Sequence, residues 1–108
     1  MPTPRAIAVS LAILLQAIPL AATAQASDSG RTVYQSVCRS CHDPRNVMVS
    51  SPKAGDVAGW QRRLAKGLEK ITDNAVTGIG AMPPNGGAAG LSRQQIREAI
   101  LYMAAPGK

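Results

Sequence analysis

The chain has 108 residues, of which 45% are hydrophobic but only 3% aromatic, and its formal net charge is +6. That length allows one domain, and the lack of phenylalanine leaves its interior short of large apolar rings. A basic protein usually binds either nucleic acid or a partner with an acidic surface. The sequence has no basic run and no aromatic cluster, which argues against nucleic acid.

The first 26 residues follow the order of a secretory signal peptide. A short basic start precedes an apolar run over residues 6–22, which is followed by small-x-small cleavage sites ending at Ala24 and Ala26. The run approaches the length of a membrane-spanning helix, but the cleavage sites favour removal. We therefore predict a signal peptide over residues 1–26, cleaved near Ala24 to Ala26, and an exported domain over residues 27–108 without stable membrane insertion.

Apolar residues at helical spacing predict short helices along the rest of the chain. The first covers about residues 29–37 and is expected to end at the cysteines. Asp56 can cap a second helix that stops at Gly67, and a third helix follows it and is closed by Gly78. Each of these helices carries its apolar residues on one side, as expected for elements that pack on a common core.

Two loops and a final helix complete the predicted domain. Residues 43–54 contain two prolines and a pair of serines, and residues 78–90 hold five glycines and two prolines. The second stretch cannot form a regular element, and a long loop in a small domain is usually functional. Ser92 and Gln95 form a capping box that starts the last helix. No segment alternates with period two, so the predicted fold class is all-α, with short helices and long loops.

Residues 38–42 form the sequence C-x-x-C-H, which is typical of covalent attachment of a c-type haem. Two thiols three positions apart on one turn can reach the two vinyl groups on one side of a porphyrin. The next residue, His42, can then place its imidazole beneath the iron, with the second ring nitrogen free for an orienting hydrogen bond. We interpret Cys38 and Cys41 as the attachment residues and His42 as an iron ligand.

Other uses of a C-x-x-C pair fit this sequence less well. A zinc site needs four protein ligands, and the chain has no other cysteine or histidine. A thioredoxin-like pair would lie beside a βαβ pattern, which is absent. A disulfide across two residues would close too short a loop to stabilise the fold much. A haem would also supply the large apolar body that the composition lacks.

The candidate for a sixth iron ligand follows by elimination. His42 is the only histidine, so a second histidine ligand cannot come from this chain. Met103 lies on the apolar side of the last helix, where methionine ordinarily packs in a core, and Met48 is only six residues from His42. Met82 lies in the glycine-rich loop and is followed by two prolines that stiffen it. It is the predicted ligand, and the alternative is a methionine that fills a gap in its loop.

These residues resemble class I monohaem cytochromes c, and more narrowly the bacterial cytochrome c5 group. Residues 30–34, ahead of C-x-x-C-H, are similar to the family's first helix, where a glycine permits close crossing by the last helix. Residues 99–103 resemble the part of the family's last helix that crosses the first helix, and residues 82–87 resemble the loop of the distal ligand. The resemblance implies a small class I cytochrome c fold wrapped around one covalent haem c, with His42 and Met82 as axial ligands.

The resemblance also covers residues 52–67, which are similar to the family's middle block. The carbonyl of Pro52 is similar in placement to the one that accepts the hydrogen bond of the proximal imidazole. Trp60 and Arg63 resemble residues that pack beside, or bond to, a haem propionate. The residue types alone also allow plainer roles, namely a loop proline, a core tryptophan and a solvated arginine.

Two departures from the family pattern are visible. The segment between His42 and Pro52 lacks the usual glycines and is longer than is typical. Many relatives carry two extra cysteines after the paired glycines, and here Ala88 and Leu91 stand in those places. No disulfide is therefore expected in the glycine-rich loop.

The predicted function is that of an exported, periplasmic carrier of single electrons, and not of an enzyme. Ligation by histidine and methionine suits this task, because both ligands stay bound in ferric and ferrous iron and the thioether favours the reduced state. The partners expected are redox proteins with acidic docking surfaces, met by basic residues such as Lys53, Arg62 and Lys66. Two alternatives stay open: a haem c subunit of a dehydrogenase or terminal oxidase complex, and a haem-based peroxidase or gas sensor in which Met82 is released.

Overall fold

The computed structural model describes residues 1–4, 12–15 and 28–107. Most of the predicted signal peptide, including both cleavage sites, lies outside the described residues. Within the described part the chain forms helices and loops, with one isolated β-bridge and no strand. The all-α prediction is confirmed. No helix in these ranges is long and apolar enough to cross a membrane.

The first helix, α1, covers residues 28–42 and contains the C-x-x-C-H sequence. It is α-helical except for a π-helical turn at Tyr34–Cys38, which the N–H of Arg39 closes by bonding the carbonyl of Tyr34. The helix was expected to end at the cysteines, and it extends one residue beyond the second of them, to His42. It stops there because Asp43 precedes a proline and is forced out of helical geometry, with φ −60° and ψ 133°.

Two helices follow the loop over residues 43–54. Helix α2, Val57–Leu64, starts at Asp56, whose carboxylate accepts a first-turn backbone N–H at 3.0 Å, as predicted. It ends earlier than the predicted stop at Gly67, which has a φ of +98° and instead precedes helix α3, Leu68–Thr77. Gly78, with a φ of +87°, ends α3 in a conformation that side chains rarely adopt.

The last helix, α4, runs over Arg93–Ala104 and begins at the predicted capping box. The N–H of Gln95 donates to Oγ of Ser92 at 3.1 Å, and the N–H of Ser92 donates to Oε1 of Gln95 at 2.8 Å. Between α3 and α4 the glycine-rich loop (residues 78–90) makes a short 3₁₀ turn at Pro84–Gly87. The capping box bonds two amide donors that would otherwise lack partners in the first turn.

The crossing of α1 and α4 positions the C-x-x-C-H turn. A Cβ atom on Gly30 would overlap the carbonyl oxygen of Glu98, so only glycine permits this approach of the two backbones. One turn further along, the rings of Tyr34 and Tyr102 pack with their centroids 5.3 Å apart. The core beside this crossing is built from buried side chains of α2, α3 and α4: Trp60, Ile71, Ala75, Ile96, Ile100 and Met103.

Candidate functional site

A cavity of about 390 Å³ lies between the C-terminal half of α1, helices α2 and α3, and the glycine-rich loop. All the side chains predicted to form the site border it, and they come from four separate segments: Cys38, Cys41, His42, Pro52, Trp60, Arg63 and Met82. Its volume lies within the roughly 300–1,000 Å³ of typical cofactor sites. Buried apolar residues form its floor: Ile71, Ala75, Ile96, Ile100 and Met103.

His42 is held in one orientation by the loop that follows it. Its Nδ1 lies 2.6 Å from the carbonyl oxygen of Pro52, and because a carbonyl can only accept, Nδ1 carries the proton and donates. Nε2 therefore keeps a lone pair. Burial lowers the pKa of His42; the hydrogen bond to Pro52 opposes this shift, and the charges of Lys53 and Arg63 add to it. The ring is thus a neutral imidazole with one nitrogen available to a metal.

Residues 51–54, which we name the clamp, bind the last turn of α1. The N–H of Ala54 donates to the carbonyl of His42 at 2.8 Å, and Oγ of Ser51 donates to the carbonyl of Cys41 at 2.6 Å. Nζ of Lys53 donates to the same Cys41 carbonyl at 3.2 Å. Carbonyl groups at the end of a helix have no partner within it, so the clamp bonds them and fixes the C-x-x-C-H turn.

Trp60 is hydrogen-bonded to the clamp. Its indole N–H donates to the carbonyl of Lys53 at 3.0 Å, its side chain is buried, and its ring centroid lies 6.3 Å from that of His42. The single donor of Trp60 is therefore used within the chain, which favours a packing role over a bond to a propionate. Arg63 uses Nη1 to bond the carbonyl of Gly59 at 3.0 Å. Guanidinium has five N–H donors, so Arg63 retains donors for a carboxylate.

The two thiols lie half-buried on the side of α1 that borders the cavity. Burial raises the pKa of Cys38 to about 11, so at neutral pH this residue is a thiol and not a thiolate. Cys38 packs against the hydrophobic core. Cys38, Cys41 and His42 therefore border the same cavity from the end of α1. The two thiols could attach a cofactor there, and the imidazole could bind its metal.

Met82 borders the same cavity from the glycine-rich loop. Its N–H donates to the carbonyl of Ile79 at 2.9 Å, and the N–H of Ile79 donates back to the carbonyl of Met82 at 3.1 Å. The turn between them uses Gly80, with a φ of +57°. Met103 also borders the cavity but is 3% exposed within the core, whereas Met48 is 89% exposed and lies outside the cavity.

Asn85 provides an independent sign that a group from outside the chain belongs in this cavity. Its side chain borders the cavity, and its buried Oδ1 has no hydrogen-bond partner within the described residues. Buried polar atoms are rarely left unpaired in native proteins. The apolar floor, the neutral imidazole, the half-buried thiols and this unpaired oxygen all fit a large, mostly apolar cofactor with polar edges.

Comparison with known proteins agrees with the geometry. Residues 25–103 match the family model described as cytochrome C oxidase, cbb3-type, subunit III. Cytochrome c-555 of Chlorobaculum tepidum is 33% identical over 106 residues, covering 93% of this chain and 96% of the relative. Cytochrome c5 of Ectopseudomonas mendocina is 41% identical over 68 residues, covering 61% of this chain and 76% of the relative.

A solved structure has the same fold. A chain in the crystal structure of an electron transfer complex of nitrite reductase with cytochrome c superposes with a TM-score of 0.62 at 36% identity, covering 70% of this chain and 90% of that chain. The chain therefore belongs to the monohaem class I c-type cytochromes. Within that class it is of the cytochrome c5 type, and it is an electron-transfer protein with covalently bound haem c rather than an enzyme.

Proposed function

We propose that this cytochrome is an exported carrier of single electrons. Cys38 and Cys41 would bind its haem through thioether bonds, and His42 and Met82 would be the axial ligands of the iron. The observation that carries this proposal is the convergence of the C-x-x-C-H turn and the Met82 loop on one cavity with an apolar floor. When bound, haem supplies one-electron chemistry between ferric and ferrous iron.

The protein's own contribution is to fix the two proposed ligands and to exclude water. The carbonyl of Pro52 sets the tautomer and the orientation of His42, as a carbonyl typically does for a metal-bound imidazole. Trp60 donates a hydrogen bond to the clamp that supplies this carbonyl, and Arg63 has spare donors for a propionate. Because both ligands are fixed by the surrounding chain before any electron moves, little needs to rearrange when the charge of the site changes.

We further propose that the redox partners of this cytochrome dock through acidic surfaces. Arg62, Arg63 and Lys66 are exposed around the end of α2, and the last two border the cavity. None of them forms an ion pair within residues 28–107, whereas Arg39 and Arg45 share Asp43 and are neutralised by it in part. Uncompensated positive charge therefore lies beside the cavity, where it would steer an acidic partner toward the electron-transfer site.

The proposed location is the periplasm, after removal of a signal peptide over residues 1–26. Support comes from the basic start, the apolar run and the cleavage sites of the N-terminal sequence. Covalent haem and export would both be read from one measurement. The full-length chain is produced in a bacterium with machinery for cytochrome c maturation, and the mass of the product is recorded.

The expected mass is that of the chain starting at about residue 25–27, plus one haem. The ferric protein should show a low-spin absorption spectrum with the weak red band of thioether ligation. Cys38→Ser and Cys41→Ser should each remove one thioether bond, and the double variant should lose covalent haem altogether. A wild-type mass equal to the bare polypeptide would contradict the proposed site.

Two further measurements separate the carrier from the alternatives. A monomer on gel filtration of a native extract supports a free carrier, and co-elution with a large oxidoreductase supports a subunit of a complex. Rapid binding of carbon monoxide to the reduced protein would indicate an open iron site, as a gas sensor or peroxidase requires. We expect no rapid binding, because the loop bonds between Ile79 and Met82 hold the proposed ligand in place.

A further inference from the structure

Lys53 lies in the clamp with its ammonium group directed inward. Nζ donates to the carbonyl of Val49 at 2.7 Å, to Oγ of Ser51 at 2.9 Å and to the carbonyl of Cys41 at 3.2 Å. An ammonium has three N–H donors, so every donor of Lys53 is used. The expectation that Lys53 is a docking residue does not fit this geometry, because its charge is fixed against α1.

We propose that Lys53 is a positioning residue that raises the reduction potential of the haem through its fixed positive charge. This inference rests on the proposed haem site at Cys38, Cys41 and His42. Lys53 bonds the carbonyl of one attachment residue, and its neighbours Pro52 and Ala54 bond the side chain and the carbonyl of His42. The charge therefore lies beside the residues that would hold the iron.

The sign of the effect follows from electrostatics. Ferric iron carries one more positive charge than ferrous iron, so a cation held nearby disfavours the ferric state and makes reduction easier. Arg63 borders the cavity but is exposed, so salt screens its charge more strongly.

The position of Lys53 protects its charge from screening. It is only partly exposed and is held by three acceptors, whereas Lys70 lies exposed on α3 and does not border the cavity. Interactions between exposed charges weaken over about 8 Å at physiological salt, but partly buried charges are screened much less. Lys70 is therefore a matched control: the same loss of one charge, at a site that solvent screens.

The test uses four variants of the full-length holoprotein: Lys53→Arg, Lys53→Gln, Lys53→Met and the control Lys70→Gln. Lys53→Gln and Lys53→Met should each lower the ratio of reduced to oxidised protein about fivefold at a fixed applied potential. For a one-electron couple this corresponds to a fall of about 40 mV in the reduction potential. Lys53→Arg keeps the charge and should stay within about twofold of wild type, as should Lys70→Gln. The loss in Lys53→Gln should persist between 10 mM and 500 mM salt, concentrations chosen to span about 30 Å to less than 8 Å of screening length.

Two outcomes would overturn the proposal. If Lys53→Gln keeps the wild-type ratio within about twofold, the charge has no role in the potential. If Lys53→Arg falls as far as Lys53→Gln, the three hydrogen bonds matter and the charge does not, because arginine cannot reproduce the three-point geometry of an ammonium. Two neutral variants are used so that the test survives poor folding of either.

Failure of this inference can be told apart from failure of the proposed haem site. A wild-type product without covalent haem contradicts the site itself, whatever the Lys53 variants do. A wild-type product with covalent haem, whose potential does not respond to loss of the charge at Lys53, leaves the site intact and removes only the role of Lys53.

Discussion

The two walls of the cavity are held by different forces. On the His42 side, the clamp bonds the imidazole and the end of α1 across the chain, with hydrogen bonds from or to Ser51, Pro52, Lys53 and Ala54. On the Met82 side, the backbone hydrogen bonds of the glycine-rich loop, in the part of the chain that the structure describes, all stay within that loop and its flanks. That loop is kept in place by packing and by its backbone conformation.

This difference predicts how each wall responds to change. A wall built from directional bonds is sensitive to the loss of a donor or acceptor. A wall built from tight packing and left-handed glycines is sensitive to added side-chain volume. It also means that His42 is oriented by the protein before any axial bond forms, whereas Met82 depends on a loop with no hydrogen bond to another element within residues 28–107.

The largest expected contrast is between loss of the two proposed ligands. His42→Ala should lower the yield of holoprotein at least about tenfold, because the attachment turn loses its metal-binding group. Met82→Ala should keep covalent haem while its potential falls by on the order of 0.1 V or more, because axial ligands set potentials over about 0.8 V. Haem staining and voltammetry measure the two effects, with the exposed Met48→Ala as control. Equal haem loss in both variants would contradict the proposed difference between the two walls of the cavity.

A second effect concerns the support of the clamp. Trp60→Ala removes a buried ring and should lower the free energy of unfolding by about 3–5 kcal/mol. Trp60→Phe keeps most of the packing and removes only the bond to the Lys53 carbonyl, which should cost about 1 kcal/mol. Urea unfolding of the holoproteins gives both values. Equal losses in the two variants would mean that the indole N–H, and not the ring volume, dominates.

A third effect tests the packing of the glycine-rich loop. A Cβ on Gly86 would lie 3.2 Å from Cγ1 of Val37, at a φ of +64°, so Gly86→Ala should cost about 2 kcal/mol through crowding and strain. Gly80 has a φ of +57° but open space around it, and Gly80→Ala should cost about 1 kcal/mol. Gly90 has neither constraint. Thermal unfolding should rank the variants in that order, and a Gly90→Ala loss as large as that of Gly86→Ala would refute the packing argument.

The smallest expected effect is the pH dependence of stability that comes from Asp43, in the loop that leads to the clamp. Arg45 bonds Asp43 through its side chain and its N–H, and with Arg39 it holds the pKa of Asp43 well below the usual 3.8. Because the folded pKa is the lower one, this contribution to stability is complete above about pH 4 and is lost as the pH falls toward the folded value. Asp43→Asn should therefore destabilise the protein at pH 7, and in urea unfolding its deficit relative to wild type should begin to shrink as the pH falls below about 4. A deficit that is constant with pH would exclude an electrostatic origin.

Local chemistry explains which features the sequence could predict. The capping box of Ser92 and Gln95 lies within one turn, and the C-x-x-C-H spacing carries its own chemical meaning, so neither depends on distant contacts. The end of α1 was open to prediction as well: Asp43 precedes Pro44, and a residue before proline leaves the helical region.

The hydrogen-bond partners of two side chains could not be predicted from the local sequence. Lys53 and the indole N–H of Trp60 find their acceptors only where the loop after His42 folds back onto α1. A lysine in a loop is ordinarily solvated, and no local pattern distinguishes one that bonds three partly buried acceptors. The unpaired oxygen of Asn85 is likewise visible only once the cavity is formed.

The π-helical turn at Tyr34–Cys38 sets the phase between the two halves of α1. It holds one residue more than an α-turn, and each residue of an α-helix turns the next by about 100°. Deleting one residue there would rotate both thiols away from the cavity while Gly30 stayed on α4. Insertions and deletions should therefore be accepted in the loop after His42 and rejected within a stretch only five residues long.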